Sequence, residues 1–491
     1  MPSGSYPCSC WSSCRGGLPF NPEKIGAVRW DTALNTAISF VTNTNWQAYG
    51  GETTMSYLTQ MAGLTVHNFL SAATGIAALL AAVRGFTRKS AVSLGNFWVD
   101  TTRAVLYVLL PLALITSMIL VSQGVVQTLA SHVTTHTLEG ATQTIAVGPA
   151  ASQIAIKQLG SNGGGFFNAN SAHPFENPTI ISNVVETFSL LFLPAALVFM
   201  LGGLLGNKKQ ARAIFIAMFL LLIAGLSVVM IAEIRGNPML QRLGAVSGVN
   251  MEGKEMRFGI VPSILWGQLT TATSNGSVNF MHDSALPLTG LVTLFNIGIG
   301  EVIFGGVGVG LIGMFHYIIL TMFVAGLMVG RTPEFLGKKL GPFEMSMSMI
   351  SLILPFIAIL VLAGIAIATG TGRASLTNIS AHGVSEILYA CCSAVGNNGS
   401  AFAGLNANTV FYNLTLGFGM LIGRYATTIP MLAIAGSLAN KNTVPATSAT
   451  FPTTGPLFIG MLIGVIIIMG ALTFFPVFSL GPILEHFLVY Q

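Results

Sequence analysis

Four short stretches pair hydroxyl or amide side chains with residues that tolerate unusual backbone angles. They are Thr42-Asn43-Thr44, Ser161-Asn162-Gly163, Ser274-Asn275-Gly276 and Asn397-Asn398-Gly399. Aligned on the shared Asn, they begin at 42, 161, 274 and 397, spaced by 119, 113 and 123 residues. A dehydrated alkali cation must exchange its water shell for oxygens, and a ring of backbone carbonyls from four loops can supply them. Turning successive carbonyls inward requires φ/ψ values that glycine adopts without a Cβ penalty. Hydroxyl and amide oxygens of Thr42, Ser161, Ser274 and the asparagines could add to the set. No Asp or Glu lies within the four stretches, and neutral oxygens suit a monovalent cation better than calcium or magnesium, which favour carboxylates. One Asn-Gly pair reads as an exposed turn; four evenly spaced copies point to a filter.

The elements that must position these loops are also readable. Each stretch follows a short apolar segment, at 31–41, 151–160, 263–273 and 385–396, too short to span a bilayer and therefore a re-entrant half-helix. Longer apolar runs fall near 62–83, 104–122, 179–204, 212–234, 345–368, 409–437 and 456–480, each enough to cross about 30 Å of hydrocarbon. The run 288–330 is twice as long and glycine-broken, so we expect an interrupted helix; the total is about eight spans. Irregular backbone at membrane depth survives only inside protein or beside a water-filled path. The expected fold is therefore an all-α polytopic membrane protein with four helix–pore loop–helix repeats around a central selectivity filter, plus a C-terminal extra helix.

Composition supports this. Only 8% of the 491 residues are charged, 52% are hydrophobic and mean hydropathy is +0.73, which excludes soluble, disordered and fibrous classes. The formal charge of +5 is mostly topology. Arg84, Arg88, Lys89, Arg103, Lys208, Lys209, Arg212, Arg331, Lys338, Lys339 and Lys441 cluster in or beside short connections that the positive-inside rule makes cytoplasmic. No nucleic-acid partner is needed to explain the charge.

Several residues lie outside the filters. Glu301 and Arg424 fall in apolar spans, where ionisable groups are functional by default; we expect them to pair below the filter. Gly305, Gly306, Gly308 and Gly310 belong to the broken helix and could steer the ion path. Gly308-Val-Gly310-Leu-Ile-Gly313 matches GxGxxG formally, but its surroundings are membrane helix rather than the strand a dinucleotide site requires. Glu186 and Asp283 follow the second and third filters, either to concentrate cations at the mouth or as caps. Lys157 should pair with an acid. Asn275-Gly-Ser277 and Asn398-Gly-Ser400 match glycosylation sequons only by chance. Cys8, Cys10 and Cys14, with adjacent Cys391 and Cys392, make no disulfide framework. His173, His282 and His316 have no ligand spacing, so no further metal site is expected. Residues 1–18 read as a leader of doubtful origin, lacking the apolar core of a signal peptide.

These loops, together with SAHPFENPT (171–179), NMEGKEMRFG (250–259), GRTPEFLGKK (330–339) and TGPLFIG (454–460), resemble the KdpA family, the potassium-binding subunits of bacterial Kdp potassium-transporting ATPases. The likeness runs from about residue 19 to the C-terminus. It implies potassium uptake through the filter and delivery through an intramembrane tunnel to KdpB, a P-type ATPase subunit. KdpC and often the small KdpF complete the complex, in the bacterial inner membrane among its lipids. It also implies repeats at 19–90, 91–207, 208–338 and 339–440, followed by 441–491 as the extra helix. The family has two membrane helices before the first filter, whereas residues 1–30 here cannot span. The first repeat is therefore expected to be incomplete at its N-terminus, through a wrong start or a truncation. Neither a Walker A string nor an Asp-Lys-Thr-Gly string is present, so the chain itself should not hydrolyse ATP, and no organic cofactor is implied. A stand-alone Trk/Ktr/HKT-type channel or symporter is the alternative. A membrane-embedded enzyme would need a convergent acid, base or metal cluster that the sequence does not display.

Overall fold

A computed structural model describes residues 19–91, 93–244, 248–330, 332–443 and 450–491. The leader 1–18 with its three cysteines, and Arg331, lie outside them. Eight helices are long and apolar enough to cross a membrane. They are α2 (Thr59–Thr87), α3 (Phe97–Ser122), α5 (Ile180–Leu204), α6 (Lys208–Arg242), α9 (Val309–Val329), α10 (Pro342–Ala368), α12 (Val410–Asn440) and α13 (Pro456–Leu480). Four shorter helices stand where the half-helices are expected: α1 (Trp30–Val41), α4 (Ala150–Leu159), α7 (Ile260–Ala272) and α11 (Ser380–Gly396). The last is 17 residues long, more than a turn longer than its apolar run, because Ser380–Val384 joins its outer end.

The order helix, half-helix, loop, helix recurs as α3–α4–α5, as α6–α7 followed by a broken helix, and as α10–α11–α12. Among the described residues no helix precedes α1. Three of the half-helices pack against their own preceding spans: α4 on α3, α7 on α6 and α11 on α10. Within a bilayer such contacts rest on close packing rather than on hydrophobic expulsion. Gly85 of α2 shows this, since a Cβ there would strike the backbone of Ala435 in α12.

The broken helix consists of α8 (Pro287–Gly298), an irregular stretch, and α9. Gly300, Glu301, Phe304 and Gly308 all have positive φ, between 52° and 83°, a region no helix can propagate through. The freed carbonyls find partners: the Tyr317 hydroxyl donates to the Ile299 carbonyl at 3.0 Å. The GxGxxG match is simply the start of α9, with Gly308 as its N-cap.

An antiparallel hairpin, β1 (Val133–His136) and β2 (Thr142–Ile145), crowns the second repeat. A terminal helix, α14 (Pro482–Tyr490), folds back beside α8 and α11.

Candidate ion filter and the cavity beneath it

Each half-helix ends in a loop held by its own last turn. The amide N–H groups of Thr44, Asn162, Asn275 and Asn398 donate to carbonyls five residues earlier, those of Ser39, Lys157, Thr270 and Ser393, at 2.9 to 3.1 Å. The residues on either side of these four have positive φ: Asn43 and Asn45, Ser161 and Gly163, Ser274 and Gly276, Asn397 and Gly399.

That pattern corrects the register of the first loop. The equivalent triplet is Asn43-Thr44-Asn45, one residue later than the expected start at Thr42. The Thr42 hydroxyl instead donates to the Ile38 carbonyl at 2.9 Å and caps α1. Asn45 supplies the left-handed position that glycine fills in the other copies, as Asn can.

The loops form a closed ring in sequence order. A Cβ on Gly163 would strike the Asn275 carbonyl, one on Gly276 the Asn398 carbonyl, and one on Gly399 the Thr44 carbonyl. The first and second loops meet through Asn43 Nδ2 to the Ser161 carbonyl at 2.8 Å and Asn162 Nδ2 to Asn43 Oδ1 at 2.5 Å. Asn275 Nδ2 reaches back to the Lys157 carbonyl at 3.2 Å, and Asn398 Nδ2 to the Thr270 carbonyl at 2.9 Å. Ser274 Oγ donates to the Asn397 carbonyl at 3.2 Å, and Asn397 Nδ2 to Thr44 Oγ1 at 2.9 Å.

Asn275 and Asn398 also spend their amide oxygens within their loops, accepting from the Ser277 and Ser400 N–H groups at 3.0 Å. Their side chains therefore brace the ring. This narrows the expectation that these two would face an ion, and for them it leaves the backbone carbonyl as the oxygen on offer.

A cavity of about 60 Å³ lies at the inner end of the ring. Asn43, Ser274 and Asn397, the leading residues of three loops, line it with Glu301, Gly306, Gly310 and Arg424. Gly306 and Gly310 of the broken helix thus sit directly under the filter. Gly306 approaches Ser274, Gly308 packs on the Gly75 carbonyl of α2, and Gly305 and Gly310 abut each other.

Glu301 and Arg424 share this cavity but do not pair; no ion pair within 4.0 Å joins them among the described residues. Glu301 Oε1 accepts from Asn398 Nδ2 at 2.5 Å, while Arg424 Nη2 donates to the Ser71 carbonyl at 3.3 Å. The break in the helix explains the difference: Glu301 lies in a left-handed turn that aims its carboxylate up at the fourth loop.

The other acids also sit differently from expectation. Glu186 is fully buried and accepts from Gln158 Nε2 at 2.8 Å and Ser171 Oγ at 3.0 Å, so it cannot gather ions at the mouth. Lys157 does pair with an acid, Glu176, with both side chains buried. Asp283 meets His382 Nε2 at 2.8 Å, and His382 Nδ1 meets Glu485 at 2.7 Å. Burial alone would lower the His382 pKa, but hydrogen bonds to the two carboxylates outweigh it and push it up to about 10. Asp283, His382 and Glu386 also bring ligand-type atoms within 4.8 Å, but the imidazolium already serves as the cation there.

The family model described as "Potassium-transporting ATPase A subunit", KdpA, matches residues 10–487. The chain belongs to the KdpA family. The potassium-transporting ATPase potassium-binding subunit of Mesorhizobium japonicum is 57% identical over 472 residues, covering 96% of this chain and 83% of that protein. The proteins of the same name from Herpetosiphon aurantiacus and Yersinia enterocolitica are 56% and 55% identical, and the chain spans 84% and 85% of their lengths. The fold resembles the crystal structure of the potassium transporter TrkH from Vibrio parahaemolyticus, with a TM-score of 0.56 at 15% identity over 87% of this chain and 82% of that one. KdpA membership and the eight apolar spans make this a multi-pass membrane protein.

Proposed function

We propose that this chain binds potassium in the four-loop ring and delivers it to an ATPase subunit as the ion-selecting part of an ATP-driven uptake system. One observation carries the reading: four neutral loops close into a ring, each with positive φ on either side of a residue whose φ is not. Alternating the sign of φ lets successive carbonyls face one axis, the arrangement a dehydrated monovalent cation requires. The ion is cargo, held by the carbonyls of residues 43–45, 161–163, 274–276 and 397–399. The bracing asparagines keep the ring from collapsing onto a smaller ion.

Beneath the ring, the cavity has room for a few waters or one partly hydrated ion, at ~10–15 Å³ per water. Glu301 and Arg424 give it polar walls, and the glycine-lined turn above α9 closes the direct route to the cytoplasm. An ion diverted there would leave sideways, through a tunnel toward the ATPase subunit. KdpB, KdpC and KdpF are the partners that family membership suggests. In this reading the four repeats are 19–90, 91–207, 208–338 and 339–440, with 441–491 as the added segment.

The test is potassium-stimulated ATPase activity of the co-expressed complex, comparing the parent chain with Gly163→Asp. A charged side chain forced against the Asn275 carbonyl should lower apparent potassium affinity at least tenfold. Unchanged potassium dependence would remove the filter assignment. Potassium flux by the chain without its ATPase would favour a stand-alone channel instead.

A further inference from the structure

Behind the second loop lies a buried polar chain that the ring itself does not explain. Lys157 Nζ, inside α4, pairs with Glu176 and donates to Asn170 Oδ1 at 2.7 Å. Asn170 Nδ2 donates in turn to the carbonyl of Gly163 at 2.8 Å. Of the four equivalent carbonyls, those of Asn45, Gly163, Gly276 and Gly399, this is the one with a side-chain donor among the described residues. Gly165 leaves the space: a Cβ there would come within 3.1 to 3.2 Å of Asn170 and the Lys157 ammonium. On its far side, Glu176 accepts from Ser171 Oγ at 2.9 Å. Ser171 and Gln158 both bond Glu186, and Gln158 Oε1 accepts from Ser277 of the third loop at 2.9 Å.

We infer that Lys157 and Asn170 are positioning residues for ion discrimination, setting the direction of the Gly163 carbonyl within the ring. A carbonyl has two lone-pair directions. With one engaged by Asn170, the other is held toward the axis, and the oxygen cannot swing outward to widen the site for a larger ion or inward for a smaller one. The ammonium fixes Asn170 by binding its Oδ1, which forces Nδ2 toward Gly163 and excludes the flipped amide. The Lys157 backbone does related work: its carbonyl accepts from the Asn162 and Gly163 N–H groups at 2.9 and 3.2 Å. One residue thus holds the loop from both ends. This inference rests on the potassium-filter reading above.

The experiment is cation-stimulated ATPase activity of the complex across potassium, rubidium and sodium titrations. Asn170→Asp keeps an acceptor for the ammonium but loses the donor to Gly163. The double variant Lys157→Met/Glu176→Gln removes both members of the ion pair together, while Glu186 keeps its hydrogen bonds to Gln158 and Ser171. Both should weaken apparent potassium affinity on the order of tenfold, the equivalent of one hydrogen bond to a charged or constrained partner. Both should also change the rubidium-to-potassium affinity ratio while maximal turnover stays near that of the parent. A merely structural role would lower the amount of assembled complex and leave the ratio unmoved. Unchanged affinity ratios in assembled variants, or failure of both variants to assemble, overturn the inference. Gly163→Asp is measured alongside: if it too leaves potassium dependence unaltered, the filter reading has failed, and if it alone alters it, only the positioning role has.

Discussion

Asn398 in the fourth loop donates its side-chain amide to Glu301 Oε1 at 2.5 Å, joining the ring to the turn that breaks the membrane helix beneath it. The same amide also donates to the Thr270 carbonyl of α7. A single side chain therefore links the fourth loop, the third half-helix and the floor of the cavity.

Replacing Glu301 by Ala should leave that buried donor half-satisfied, at a cost of about 1–3 kcal/mol. Glu301→Gln retains an acceptor oxygen and should lose less. Thermal unfolding of the purified complex in detergent, with and without potassium, measures both. Equal stability of Ala and parent forms would mean the contact braces nothing.

The first loop offers a sharp test of register. Asn45 holds φ at 55° and bonds Asn68 Oδ1 at 2.6 Å. Asn45→Gly relieves the backbone while losing that bond; Asn45→Ala loses the bond and keeps the strain. The Ala form should be the less stable by about 1–2 kcal/mol, the cost of a Cβ in the left-handed region. Were Thr44 the third position, the Gly–Ala contrast would appear at residue 44 instead.

His382 clamps α11 to α14 and to the turn after the third loop. Its pKa, raised from 6.5 to about 10, sets the sign of a pH effect. The clamp's contribution is complete below about pH 6.5 and is lost as pH climbs through the folded-state value near 10. The melting temperature of the parent should therefore exceed that of His382→Gln most at pH 6, with the gap closing toward pH 10. A gap that widens over that range would contradict the charged clamp.

Much of this molecule is legible from residue order. The half-helices announce themselves because an apolar run of 10–12 residues cannot span, and the polar triplets that follow tolerate left-handed backbone. The interrupted helix is legible from its glycines. The register of the first loop is not, because aligning on asparagine offers only Asn43 or Asn45 for the shared Asn of the other copies, whereas Thr44 holds that position. The hydrogen bond from the Thr44 N–H to the Ser39 carbonyl reveals it.

The Glu301–Arg424 pairing fails for a related reason. Helical spacing says nothing about a side chain whose own residue sits at φ 52°. The His382 clamp joins residues 99 and 103 positions apart, beyond any local pattern, and the Lys157 chain depends on a loop conformation that no periodicity encodes.

Crystals or particles of the assembled complex in rubidium or thallium(I), with anomalous or difference density recorded, test most directly whether an alkali cation occupies the ring. A peak is expected on the axis enclosed by residues 43–45, 161–163, 274–276 and 397–399, lost in Gly163→Asp. An intact ring without a peak, or a peak only elsewhere in the chain, would contradict it.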